Sequence, residues 1–199
     1  DMQNKLTALS GYIELAKAEK DETVLRRYLT IMEKTTEIFQ EELEFTRDYQ
    51  DLGVQAPAWQ EVGATIREKE SHLPTQDVRI NRLIQPATLE IYADPLLGKV
   101  FYNLIDNALR YGGEKMTEIH ITSREDGGAL VLVFEDNGVG IPRKDKDRLF
   151  TKGFGKNTGL GLFLSREILS ITGITITENG EPGKGARFEI TVPKGMYRS

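Results

Sequence analysis

The fold class that this sequence predicts is α+β: a two-layer α/β sandwich with a mixed sheet, preceded by an α-helical hairpin. Three observations predict it. Residues 1–52 carry apolar side chains at helical spacing on two stretches separated by a short charged break. Beyond them, short alternating runs come in pairs joined by glycine-rich turns, the pattern of β-hairpins. Two helix-length stretches lie between those runs, and antiparallel strands with interleaved helices place the helices on one face of a mixed sheet.

The first helix, 1–19, is carried by Leu6, Leu9, Ile13 and Ala16, with Tyr12 and Leu15 beside them. Residues 17–22 are charged and form the break. In the second, 23–52, one seam runs through Val24, Tyr28, Ile31, Thr35, Ile38, Phe45, Tyr49 and Leu52, interrupted by Glu42. Leu25, Leu29, Met32, Phe39 and Leu43 make an adjacent seam. A face this wide suits a hairpin that pairs with another hairpin; the alternative is a single helix lying on a neighbouring domain. Gly53 to Pro57 is a linker, dividing 1–52 from a second domain at 57–199.

In that second domain a helix is expected over 59–71, and strands over 78–83 and 89–92. Asp94 caps a helix with Pro95 at its first position, ending near Arg110 at Gly112-Gly113. Strands 118–124 and 129–135 flank Asp126-Gly127-Gly128. A helix over 158–172 closes at Gly173, and 174–178 and 187–192 make a last hairpin.

Composition removes several classes of function. The 199 residues carry a net charge of −5, so indiscriminate nucleic-acid binding is not expected. With no cysteine, thiolate and disulfide chemistry are excluded. The two histidines, His72 and His120, are far apart, which argues against a His-rich metal site. No apolar run approaches the roughly 18 residues of a membrane span. The chain opens in mid-pattern without Met, as a fragment of a longer protein would.

Three segments carry candidate chemistry. On the helix after Asp94, Leu97, Phe101, Leu104 and Ala108 make a core stripe, while Asn103, Asp106, Asn107 and Arg110 share the other side. Asparagine is a poor helix former, so a face rich in it asks for a reason. Its carbonyl is a hard oxygen ligand that suits Mg²⁺ without adding negative charge, and Arg110 can reach a phosphate. An ordinary amphipathic helix with exposed amides is the plainer reading.

Asp136 ends the apolar run 130–134. A carboxylate there can accept the exocyclic amino hydrogens of adenine and would repel the carbonyl of guanine. Gly138 and Gly140 let the backbone turn and approach a base. A plain Asp-Asn-Gly turn is the competing reading. Gly159-Leu160-Gly161 opens a helix, whose free N–H groups favour phosphate. The connection at 141–157 holds Arg143, Lys144, Lys146, Arg148, Lys152 and Lys156 against Asp145 and Asp147, with Phe150 and Phe154 as apolar anchors. It suits a lid over phosphates.

Together these residues resemble the Bergerat-type ATP-binding fold shared by gyrase-type ATPases, heat-shock chaperones, sensor histidine kinases and mismatch-repair ATPases. Asn103 and Asn107 resemble its N box, Asp136 to Gly140 its G1 box, Phe150 to Phe154 its F box and Gly159 to Gly161 its G2 box. Gly185-Ala186-Arg187-Phe188 resembles the family's C-terminal glycine-containing strand. The resemblance implies that Asn107 ligates Mg²⁺, that Asn103, Arg110 and Tyr111 line the phosphate and ribose side, and that Asp136 holds adenine. It also puts Gly138, Gly140, Ile141, Lys156, Thr158, Gly159, Leu160, Gly161 and Leu162 around ATP.

The hydrolysing members carry Glu where this chain has Asn103, and a neutral amide cannot act as a general base. The pattern therefore resembles a histidine kinase core. In that group the acceptor motif is His, then an acidic residue, two further residues and Asn or Thr. Asp1 and Asn4 fit if a His preceded Asp1. The resemblance would make Asp1 the base that activates it and Asn4 the residue that positions water for dephosphorylation. Lys5 stands where many members have Pro.

The function so implied is transfer of the γ-phosphoryl group to that His and on to an Asp of a response-regulator receiver domain, by a cytoplasmic homodimer joined through the hairpin. His72 and His120 lack the motif's context, so this chain is expected to bind ATP without phosphorylating itself. The alternatives are an anti-sigma-type serine kinase and a catalytically silent nucleotide-binding dimerisation module.

Overall fold

A computed structural model describes residues 2–75, 77–155 and 157–199. Helices α1 (Met2–Ala18) and α2 (Glu22–Asp51) form the hairpin. The turn between them is closed by Asp21, whose side chain accepts the backbone N–H groups of Thr23 and Val24 and so satisfies two of α2's free donors. Lys5 of α1 pairs with Glu42, the polar interruption of the first seam, and Tyr12 packs on Tyr28 with ring centroids 5.8 Å apart. No residue of α2 is fully buried.

The remaining elements are β1 (Ala58–Glu61), α3 (Val62–Glu70), β2 (Arg79–Leu83), β3 (Glu90–Ala93), α4 (Leu97–Tyr111), β4 (Glu118–Asp126), β5 (Ala129–Asp136), α5 (Arg143–Lys146), α6 (Gly161–Ser170), β6 (Thr175–Glu178), β7 (Arg187–Val192) and β8 (Tyr197–Arg198). The main sheet has the order β2-β4-β5-β7-β6. It is mixed, as expected: β2 runs parallel to β4 and the other pairs are antiparallel. Helix α4 packs between α3 and α6, and these helices meet the sheet through Ile66, Phe101, Ile105 and Ile168 against Ile121, Leu132 and Ile190. Phe101 stacks on Phe134 at 5.5 Å. On β7 burial alternates strictly, one face to the core and one outward.

Three expectations need correction. Residues 59–61 are strand, not helix. Trp59 and Gln60 pair with Tyr92 and Ile91 of β3, and the Gln60 amide donates to the carbonyls of Ala93 and Asp94. Helix α3 begins only after Glu61, which caps it by accepting the Ala64 N–H. Asp94 does not cap α4 itself: its carboxylate accepts the Leu96 N–H at 2.9 Å in the turn that leads in, and the helix begins at Leu97 with no side-chain cap. Helix α6 begins at Gly161 rather than Thr158, because Gly159 sits at φ +63° and turns the chain before it. A separate three-stranded sheet, β1-β3-β8, was not foreseen.

The hairpin lies against α4 and α6 along one seam. Lys99 of α4 meets Asp48 at 3.0 Å and Glu44 at 3.3 Å. Burial works against the Lys99 charge, but its bonds to those two carboxylates outweigh it and raise its pKa. Beside it Phe163 packs 6.3 Å from both Phe45 and Tyr49, with the Lys152 ammonium over the same two rings.

Candidate functional site

A cleft of about 1260 Å³ opens between α4, the end of β5, the start of α6 and the facing side of α2. Its inner end is apolar around one carboxylate. Asp136 ends β5 and is 8% exposed. Its Oδ1 accepts the N–H groups of Gly138 at 2.9 Å and Ala186 at 3.2 Å, which leaves Oδ2 free of these two bonds. Burial raises the Asp136 pKa, more than the two N–H donors lower it, with the carboxylates of Glu178 and Glu135 adding to the rise. Ile141, Leu149, Leu164 and Phe188 line the cleft beside it.

Helix α4 supplies the next wall. The Asn103 amide donates to the Gly161 carbonyl at 3.1 Å and to Ser165 Oγ at 3.2 Å, tying α4 to the first turn of α6. Asn107, one turn on, lines the cleft and makes no side-chain hydrogen bond within the described residues. Arg110 pairs through Nε with Asp106 at 2.8 Å and through Nη1 with Glu41 of α2 at 3.2 Å. The Asp106 bond is the main reason its pKa is raised. Tyr111 lines the cleft too. Helix α6 begins with no side-chain cap, so its first-turn N–H groups lack a side-chain acceptor.

Of the residues expected here, Asn103, Asn107, Arg110, Tyr111, Asp136, Gly140, Ile141, Thr158, Gly159, Leu160, Gly161 and Leu162 all line this cleft. Gly138 does not. It stands behind the wall, where its N–H holds Asp136 and where a Cβ would meet the Gly112 backbone at 2.4 Å. Asn4 is exposed on the first turn of α1, away from the cleft lining. Asp1 and Lys156 lie outside the described residues.

The basic connection is also used differently from a simple lid. Lys146 is bound to Glu178 at 2.6 Å and to the Gly180 carbonyl, Arg148 lies over the Phe154 ring at 4.5 Å, and Lys152 faces Phe45 and Tyr49. Its apolar anchors are Leu149, which is buried, and the half-buried Phe150 and Phe154. The sequence reading missed Glu41, Leu149 and Phe188. The period-2 pattern of β7 could have pointed to Phe188; nothing local marks Glu41.

A Mg²⁺ ion fits this donor set only in part-protein coordination. Among the described residues no group of three or more His, Cys, Asp or Glu could hold a metal. The uncharged Asn107 oxygen is the kind of single ligand Mg²⁺ takes when phosphates and water supply the rest.

The sequence profile of the histidine kinase-, DNA gyrase B-, and HSP90-like ATPase family matches residues 93–196, more than half of the chain. The chain belongs to this family. Over 97% of its length it is 26% identical to the sensor protein kinase WalK of Staphylococcus aureus, strain MRSA252, and it spans 35% of that protein. The solved catalytic domain of histidine kinase ThkA aligns with a TM-score of 0.61 and 26% identity, covering 70% of this chain and 99% of that one. The structure of ThkA in complex with the response regulator protein TrrA aligns over 97% of this chain and 58% of that one, with a TM-score of 0.68 and 22% identity, and so shares the fold across hairpin and sandwich. Membership gives residues 93–196 the ATPase fold that the sequence resemblance implied.

Proposed function

We propose that this chain is the ATP-binding core of a two-component sensor histidine kinase, residues 57–199 forming the catalytic domain and 1–52 a dimerisation and phosphotransfer hairpin. The observation that carries the reading is Asp136: a buried carboxylate at the closed end of the cleft, one oxygen held by two backbone donors and the other left for a ligand. Adenine offers two amino hydrogens to such an acceptor; guanine offers a carbonyl and is rejected.

Asn107 would take Mg²⁺ together with phosphate oxygens, and the ion, when bound, neutralises their charge. Arg110, Thr158 and the uncapped first turn of α6 hold the triphosphate chain. Asn103 provides no base for water, so bound ATP is kept for transfer, and its amide fixes α6 against α4. Phosphoryl transfer of this kind asks the protein for position and electrostatics, with little covalent chemistry of its own. The acceptor is a His preceding Asp1 in the parent protein, Asp1 its activating base, and Asn4 the residue that orients water for dephosphorylation. The onward partner is a response-regulator receiver domain, a reading supported by the ThkA–TrrA complex. The working form is a cytoplasmic homodimer; no described helix is long and apolar enough to cross a membrane.

The test is calorimetric titration of ATP and GTP in Mg²⁺ buffer, with an Asp136→Asn variant alongside. Selective ATP binding that disappears in the variant supports the reading. A folded chain that binds neither nucleotide sinks it.

A further inference from the structure

Glu41 projects from α2 into the cleft's outer end, and its two carboxylate oxygens are divided between two partners. Oε1 accepts from Arg110 Nη1 at 3.2 Å and Oε2 from Thr158 Oγ1 at 3.4 Å. These are an arginine and a hydroxyl from opposite walls, the pair assigned above to the triphosphate chain. A carboxylate bridging them supplies what a terminal phosphoryl group would supply: negative charge and two oxygen acceptors at hydrogen-bond reach.

Two of Arg110's five N–H donors are taken, Nε by Asp106 and one on Nη1 by Glu41. A phosphoryl oxygen arriving at Nη1 meets Glu41 with like charge at the same nitrogen. The rest of the hairpin seam does not face this conflict. Lys99 with Glu44 and Asp48, and Phe163 with Phe45 and Tyr49, lie further along α2 and use neither Arg110 nor Thr158.

We infer that Glu41 occupies the place of the terminal phosphate and makes this arrangement of hairpin and catalytic domain select against a nucleoside triphosphate relative to a diphosphate. A diphosphate can seat its base at Asp136 without contesting Arg110; a triphosphate must expel Glu41. By reciprocity, the triphosphate then weakens the hairpin's hold on the catalytic domain by the same factor that the hairpin weakens triphosphate binding. Glu41 thus reports which nucleotide is bound to the helix that carries it.

This inference rests on the ATP reading, and the experiment separates the two. Mg²⁺-ATP and Mg²⁺-ADP are titrated calorimetrically into the full chain, Glu41→Gln and Glu44→Gln. Glu41→Gln keeps the side-chain shape but removes the charge, and is expected to tighten ATP by about three- to fivefold, the size a part-exposed ion pair can supply, with ADP nearly unchanged. Glu44→Gln removes an equal charge one turn along α2 from Glu41, within Lys99's cluster, where Asp48 still holds Lys99, and leaves the ATP/ADP ratio as it was. An unchanged ratio in Glu41→Gln overturns the inference while ATP binding itself stands. Equal shifts in both variants overturn it as well, since they report general charge. No binding of either nucleotide to any of the three proteins removes the ATP reading and this inference together.

Discussion

Asp136 sets a buried carboxylate's stability against its use. Burial holds its pKa above that of the unfolded chain. Between those two values the folded state binds more protons than the unfolded state, so stability is full below the unfolded pKa and falls as pH rises through the folded one. Asp136→Asn removes this slope. Its amide oxygen still accepts from Gly138 and Ala186, while its NH₂ turns a donor toward the cleft. Thermal melts at several pH values should give an Asn variant at least as stable as the parent at neutral pH, and calorimetry should find ATP binding gone. ATP affinity of the parent should rise with pH through the Asp136 titration, because the protonated carboxyl also presents a donor. A melt in which Asn is markedly less stable than Asp at neutral pH contradicts this account. Asn103 has the opposite character. Its two donated bonds, to Gly161 and Ser165, are structural, and Ser165 is fully buried. Asn103→Ala leaves that hydroxyl without one partner and should cost about 1–3 kcal/mol in denaturant unfolding, together with weaker ATP binding. A variant as stable as the parent would mean that the α4–α6 tie is dispensable.

At the scale of elements, the approach to α6 depends on Gly159. Its φ of +63° is one that side chains rarely adopt, and a Cβ there would meet the Phe154 backbone nitrogen and oxygen at 2.5 Å each. Gly159→Ala should therefore displace the 153–160 loop, where the Gly153 N–H meets the Gly159 carbonyl. Calorimetry should read this as at least a tenfold loss of ATP affinity, equivalent to about 1.4 kcal/mol, while the far-ultraviolet circular dichroism of the sheet is retained. Undiminished affinity would mean the loop holds no part of the nucleotide. The same loop marks the boundary of what sequence pattern can reveal. Strands β4, β6 and β7 were legible because each carries its own alternation and its own turn, and β5 because its continuous apolar run, 130–134, is bounded by a glycine turn and a polar end. The cleft residues of α4 were legible because asparagines on a helix face conflict with helix propensity. Strand β1 was not, since Trp59 and Gln60 become extended only by pairing with β3, some thirty residues away in the chain. The two-residue β8 depends on the same partner, Tyr197 pairing with Ile91. Lys146, Arg148 and Lys152 gave a correct sum of charge and a wrong destination, because composition does not tell a phosphate from Glu178, Phe154 or Phe45. Glu41 is one acidic residue on a helix with many, so only the fold shows that it faces Arg110.

For the whole molecule, the hairpin is the part that its own chain does not complete. The first seam of α2 is mostly half-buried against α1 and the catalytic domain, with Phe45 and Leu52 reaching the core cluster. The second seam is left with Leu29 51% and Leu43 47% exposed, and α1 adds Leu6 at 49% and Ile13 at 41%. Two helices can bury only the stripe between them, whereas a four-helix arrangement buries the adjoining stripe as well. The exposed residues run along the hairpin, and the Glu22–Arg26 pair near its turn lies within α2, exposed, and contributes little. A second copy presenting the same stripe would cover it by a two-fold relation, the same patch meeting itself on both subunits. Sedimentation velocity should find the parent chain as a concentration-dependent dimer and Leu29→Asp as a monomer. Removing Leu29 from an exposed position costs the folded monomer little, so the variant's catalytic domain should melt with the parent's and bind ADP as tightly. A Leu29→Asp protein that sediments like the parent would relocate the dimer contact away from the hairpin. A parent that stays monomeric at every accessible concentration would show that these two helices do not suffice to hold two copies together.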